Sequence, residues 1–180
     1  ARPWDGGQLI PDSQGGWQTV APSAIPHKDG EAAPLALDAA GLARIRDAFV
    51  DSAKRAARIG IDAIEVHGAH GYLLHQFLSP IANRRTDAYG GSLENRMRFP
   101  LEVTRAVRAA LPSSTPLFVR ISATDWIDGG WEIEDSVIFS RKLKELGVDL
   151  VDCSTGGNLR AGSTNANLNR GPGYQVPFAE

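Results

Sequence analysis

Residues 62–72 read Asp-Ala-Ile-Glu-Val-His-Gly-Ala-His-Gly-Tyr, a short apolar stretch that runs into a polar run punctuated by glycine. Asp62 to Val66 has the length and alternation of a buried strand, and the His67 to Tyr72 run after it reads as a loop at the strand's end. Working upstream, Asp38 is an N-cap candidate for a helix whose Leu42, Ile45, Phe49, Ala53 and Ala56 recur at helical spacing, with Gly60 as its stop. Downstream, a helix is predicted from Ser92, with Met97, Leu101, Val103, Val107 and Leu111 apolar and Pro100 expected to kink it or end a first segment. Pro116 to Ile121 is the next strand, Ile133 to Leu146 the next helix with Gly147 closing it, and Asp149 to Cys153 the strand after that. Strands separated by single helices imply parallel pairing through right-handed crossovers, because parallel neighbours cannot be joined by a tight turn. The fold class is therefore α/β, as a barrel or an open sheet.

The strand faces favour the barrel. Ala63, Glu65 and His67 share one face of the first strand, Phe118, Arg120 and Ser122 one of the second, and Leu150, Asp152 and Ser154 one of the third. The opposite faces carry Ile64 and Val66, then Leu117, Val119 and Ile121, then Val151 and Cys153, all suited to packing on helices. A charged residue on each inner face fits a barrel with a site at its C-terminal mouth better than a sheet buried on both sides. Glu65, Arg120 and Asp152 are then expected to form an interior charge network. The domain organisation that follows is one domain over residues 1–180, with a long loop over 1–37 on the site side and helix-strand units over 38–180. A second long loop is expected from Gly156 to Gly173, and no internal repeat interrupts the pattern.

The chain has 180 residues and a formal net charge of −2, which suits one ordinary domain and gives nothing to attract nucleic acid or an anionic membrane. No apolar run approaches the roughly 20 residues that span a bilayer, and no signal peptide is visible, so a cytoplasmic location is the default expectation. The single cysteine, Cys153, excludes an internal disulfide and argues against a metal-sulfur site; it is expected to act as a small buried hydrophobe. The chain starts at Ala1 and ends at Glu180 in what looks like the opening turn of a helix, so an internal segment of a longer protein is expected.

His67 and His70 stand three residues apart past a strand end, where one helical turn would bring both imidazoles to the same side and converge two N–H donors on one point. Tyr72 follows two residues later, and its phenol is a usable acid where negative charge develops nearby. Together the three side chains are suited to hold a carbonyl oxygen and deliver a proton. The alternatives are a pair of loop histidines with a packed tyrosine, or a zinc site that adds His75. Zinc normally also takes a cysteine or carboxylate, and no spacing here supplies one, so no metal is expected.

The stretch Val66 to Arg96, VHGAHGYLLHQFLSPIANRRTDAYGGSLENR, closely resembles the signature segment of the Old Yellow Enzymes, FMN-containing TIM-barrel reductases. Further agreement comes from GWQTVAPSAIP at Gly16 to Pro26, LFVRISATDW at Leu117 to Trp126, VDLVDCSTGG at Val148 to Gly157 and PGYQVPFAE at Pro172 to Glu180, so the resemblance covers nearly the whole chain. The His-x-x-His spacing is similar to the xenobiotic-reductase branch. The resemblance implies a partial (β/α)8 barrel, about strands four to six with their helices, and an enzyme in which NADPH or NADH reduces FMN. Reduced FMN then passes hydride to an activated alkene such as an α,β-unsaturated carbonyl or nitro compound. It assigns His67 and His70 to the oxygen of the activating group, Tyr72 to proton donation, and Arg120 to the flavin's pyrimidine edge, with His67 also near the cofactor. A fixed cation at that edge would stabilise negative charge on the reduced ring. Arg84, Arg85, Asp87, Glu94 and Arg96 are read as ion pairs that fix the loop. The implied partner is a small activated alkene, and a homo-oligomeric parent is left open. The FMN phosphate site is expected on barrel strands outside this chain.

Two rivals remain at this point. A dienoyl-CoA reductase-like flavoenzyme shares the barrel but needs an iron-sulfur cluster that one cysteine cannot ligate. A non-catalytic half-barrel would leave the protein without flavin colour.

Overall fold

A computed structural model of the protein describes residues 9–27, 29–158 and 171–180. Ahead of the first helix, the described part of the 1–37 segment is a 3-10 turn at Asp12–Gln14 and a two-residue parallel ladder, β1 (Val20–Ala21) beside β2 (Leu35–Ala36). The segment is thus pinned to itself more than a simple loop would be.

Helix α1 (Ala39–Arg58) starts where the sequence places it: Asp38 is extended, and its carboxylate accepts the Gly41 N–H at 2.7 Å. It ends before Gly60, whose φ of +80° is the left-handed turn that glycine adopts without a Cβ penalty. The next strand, β3, runs Ile64–Gly68, two residues later than the expected Asp62 to Val66, so His67 lies inside the strand rather than past its end. A six-residue helix, α2 (Leu73–Leu78), follows, in a stretch to which the sequence pattern assigned no element. Helix α3 (Leu93–Ala110) starts at the Ser92 cap and passes through Pro100 as one element, so the proline does not end it. Pro100 is buried, and its carbonyl accepts the Thr104 hydroxyl at 2.9 Å, which keeps the next turn bonded locally. Strand β4 (Leu117–Ser122), helix α4 (Ile133–Glu145) and strand β5 (Leu150–Ser154) complete the pattern, with a 3-10 turn at Val176–Phe178.

The three main strands form one parallel sheet in the order β3-β4-β5. Sequential order without reversal is the progression of a barrel wall; a doubly wound sheet would show a switch point. Helices α1, α3 and α4 cover one face only, where Val66, Val119 and Ile121 pack with Leu42, Val103, Val107, Phe139 and Leu143. Each of these side chains contributes about 1.5–3 kcal/mol by leaving water. The other face carries Glu65, Phe118, Arg120, Leu150 and Asp152, none of them buried. Among the described residues, no helix is long and apolar enough to cross a membrane.

Candidate active site

The register sets the site. His67 on β3 pairs with Arg120 on β4, and Arg120 pairs with Asp152 on β5, so three polar side chains cross the open face in one row. Arg120 Nε lies 3.2 Å from Asp152 Oδ2, although the atom is buried with no acceptor in hydrogen-bond alignment. The contact is therefore an off-line charge pair, and the guanidinium, 38% exposed, keeps an edge free toward the open face. Glu65 does not join it. It pairs across from Phe118, one row nearer the strand's start, and is exposed with no ion pair among the described residues, so the expected three-member network has two members.

His70 is brought beside this row by the backbone rather than by a helical turn. His70 and Gly71 take consecutive left-handed conformations, φ +59° and +74°. For a non-glycine residue this costs about 1–2 kcal/mol. The cost is offset by a donor-acceptor chain: His70 N–H donates to Ser122 Oγ at 2.9 Å, and Ser122 Oγ donates to the Gly156 carbonyl at 2.7 Å. Only glycine fits next, since a Cβ on Gly71 would stand 2.1 Å from the Gly157 carbonyl oxygen. The kink leaves the His67 and His70 ring centroids 5.1 Å apart and places the Tyr72 ring 5.4 Å from His67. His67, His70 and Tyr72 thus form one cluster at the C-terminal ends of the strands, next to Arg120.

His70 Nε2 lies 2.5 Å from Ser154 Oγ, and the Gln175 amide donates to the same hydroxyl at 3.2 Å. The Ser154 hydroxyl thus bridges the Gln175 amide and His70 Nε2, and with two lone pairs and one proton it fits either ring tautomer. Burial, then the neighbouring His67 and Arg120, push the His70 pKa below the ordinary imidazole value; Asp152 opposes the shift. His70 is accordingly a neutral donor at neutral pH. Cys153 sits on the helix-packed face, where burial and then Asp152 push its thiol up and make it inert.

Tyr72 is 65% exposed and borders a cavity of about 770 Å³ lined by Trp17, Ile25, Gln76, Ile81 and Ile127 among others. His67, His70 and Arg120 do not line it, so Tyr72 stands between the polar row and this apolar space. The ion-pair reading of the motif holds for Arg85, which bonds Asp87 and the carbonyls of Pro22 and Leu37, and for Arg96, which lies 3.6 Å from Asp135 on α4. Glu94 reaches Arg98 at 4.0 Å, whereas Arg84 contributes through its backbone N–H to Ser23 Oγ.

Four residues were missed by sequence reasoning. His75, considered only as a zinc ligand, is fully buried on α2 and turned away from His67 and His70 toward Asp125, itself fully buried. Ser154 and Gln175 orient His70. A hint was present for His75 alone, which stands among the apolar Leu74, Phe77 and Leu78.

Residues 6–175 match the model of the NADH:flavin oxidoreductase / NADH oxidase family. An NADH:flavin oxidoreductase of Gibberella zeae is 45% identical over 179 residues, covering 92% of this chain and 43% of the relative. The NADPH dehydrogenase of Bacillus subtilis is 47% identical over 160 residues, covering 89% of this chain and 45% of the relative. Among solved structures, an Old Yellow Enzyme homologue from Zymomonas mobilis superposes with a TM-score of 0.69 at 29% identity, covering 82% of this chain and 44% of that one. The chain spans somewhat under half the length of the relatives it matches, and its parallel sheet with helices on one face is a partial TIM barrel. With nearly its full length matched and its barrel strands in sequential parallel order, the chain belongs to the NADH:flavin oxidoreductase / NADH oxidase family.

Proposed function

We propose that this chain is the middle part of a longer FMN-dependent ene-reductase that uses NADPH or NADH to reduce alkenes conjugated to a carbonyl or nitro group. The observation that carries the proposal is the convergence of His67, His70 and Tyr72 beside the Arg120–Asp152 pair on one open strand face. FMN supplies the hydride chemistry when bound. The residues present suit its ring edge: among the described residues, Arg120 offers a cation whose buried Nε has no aligned acceptor, on a face no helix covers.

In this reading His67 and His70 donate to the acceptor oxygen, so that the negative charge developing there meets donors already in place. Fixing the donors before reaction avoids reorganisation during it, and the serine-held His70 ring is such a fixed donor. Tyr72, exposed on the rim beside His67, protonates the substrate's α-carbon. The adjoining apolar cavity suits the hydrocarbon part of such a substrate. The substrate is a small molecule, and a cytoplasmic location belongs to the same reading.

Stopped-flow kinetics of the full-length protein test the assignment. Tyr72→Phe should slow reoxidation by cyclohexenone by about a hundredfold to ten-thousandfold, less where solvent replaces the proton, with reduction by NADPH nearly unchanged. His67→Ala should weaken binding of phenols and enones as well. Equal reoxidation rates in Tyr72→Phe and wild type would remove Tyr72 from the mechanism.

A further inference from the structure

Behind the histidine-tyrosine cluster lies a second polar group that the proposed chemistry does not use. His75 and Asp125 are both fully buried, in a region otherwise packed with Leu74, Phe77, Leu78 and Trp131. Burying an imidazole and a carboxylate together is costly unless each is well partnered. Asp125 is: Oδ2 accepts from the Ser79 hydroxyl and from the Trp131 N–H at 2.9 Å, and Oδ1 accepts from the Asn158 amide at 3.2 Å. His75 Nε2 lies 3.2 Å from Oδ1 as a close charge contact out of hydrogen-bond alignment, so the carboxylate is the polar group it faces but not an aligned acceptor. On the other side of the ring, the Gly71 N–H donates to His75 Nδ1 at 3.0 Å. That bond requires an unprotonated Nδ1, so the ring proton is on Nε2, toward the carboxylate.

Gly71 is the left-handed residue between His70 and Tyr72. Its N–H is held by His75 and its carbonyl accepts the Gln76 amide at 2.7 Å, so both sides of this peptide turn are clamped from α2. We propose that His75 and Asp125 are positioning residues for the reaction proposed above: Asp125 selects the His75 tautomer, and His75 holds the Gly71 turn that sets the His70 imidazole and the Tyr72 phenol relative to one another. The inference rests on that functional reading. Burial works to raise the Asp125 pKa, yet the close approach of His75 together with the Ser79 and Trp131 donors outweighs it and holds the carboxyl below its ordinary value, so the selecting charge is present at neutral pH.

The logic predicts different outcomes for similar substitutions. In His75→Asn the amide oxygen can stand where Nδ1 stood and still accept from Gly71. In His75→Leu it cannot. In Asp125→Asn, Ser79 and Trp131 claim the amide oxygen, the NH2 group donates to Nε2, and the proton moves to Nδ1, where it opposes the Gly71 N–H.

The experiment uses the flavin-loaded full-length protein and measures flavin content, both half-reactions, and the flavin absorption change on phenol binding. We expect His75→Leu and Asp125→Asn to keep flavin and NADPH reduction while reoxidation by cyclohexenone falls at least tenfold and phenol binding weakens, and His75→Asn to recover most of both. Wild-type reoxidation and phenol binding in Asp125→Asn, or a His75→Asn as impaired as Asp125→Asn, would overturn the inference even if His75→Leu fails to fold. Parallel loss of flavin and of both half-reactions would overturn it too, since that is general destabilisation. A wild-type protein that holds no flavin or leaves enones untouched would instead refute the functional reading beneath it.

Discussion

At His70 the fold surrounds one imidazole with His67, Arg120 and, farther off, His75, and partly buries it. All of these disfavour the imidazolium, and only Asp152 favours it. Because the folded pKa lies below the unfolded value near 6.5, the associated stability is fully present above that pH and is lost as pH falls from there through the folded value. In the full-length protein, the His70 ring resonance should titrate below 6.5, and His67→Gln should move its midpoint upward by removing one of the neighbours that lower it. A midpoint at or above the ordinary value would contradict the arrangement. That His67, His70, Tyr72 and Arg120 lie together was legible because their spacing and their motif survive in one dimension. Ser154 and Gln175, which orient His70, were not, because residues 84 and 105 positions away become partners only through β5 and the turn that follows it.

Elements were legible where local signals agreed. Asp38 followed by an apolar period gave α1 its start, and the structure places it there with a 2.7 Å cap bond. Asp38→Ala should cost about 1 kcal/mol in the full-length protein, read as a lower denaturant midpoint. Ser92→Ala should cost less, because the Ser92 cap of α3 is longer, 3.3 Å, and uncharged. A larger loss at Ser92 than at Asp38 would contradict this ranking of the two caps by length and charge. The short helix α2 escaped notice because six residues cannot display a helical period, and its stability comes from burying Leu74, Phe77 and Leu78 rather than from propensity. The start of β3 was misjudged for a related reason. Asp62 and Ala63 continue the alternation, but pairing with β4 begins only at Ile64 opposite Leu117. Pro100 was expected to interrupt α3, yet burial of Phe99, Val103 and Val107 around it outweighs one missing backbone bond.

At the scale of the whole molecule, one face of the sheet is built for helices and the other is left polar and open, while β3 and β5 each pair on one side only among the described residues. A barrel wall in a longer chain resolves both features, since neighbouring strands cover the edges and enclose the row of His67, Arg120 and Asp152. On the proposed function, the 180-residue chain by itself would offer FMN one ring edge, and among the described residues its sheet leaves two edges unpaired, which invites association. The difference between chain and full-length protein is therefore the most direct measurement. The full-length protein should show a flavin absorption band that NADPH bleaches and cyclohexenone restores, whereas the isolated chain should retain no flavin and reduce no enone. A colourless full-length protein, a reduced band that an enone never restores, or an isolated chain that is monomeric, yellow and active would each contradict the account.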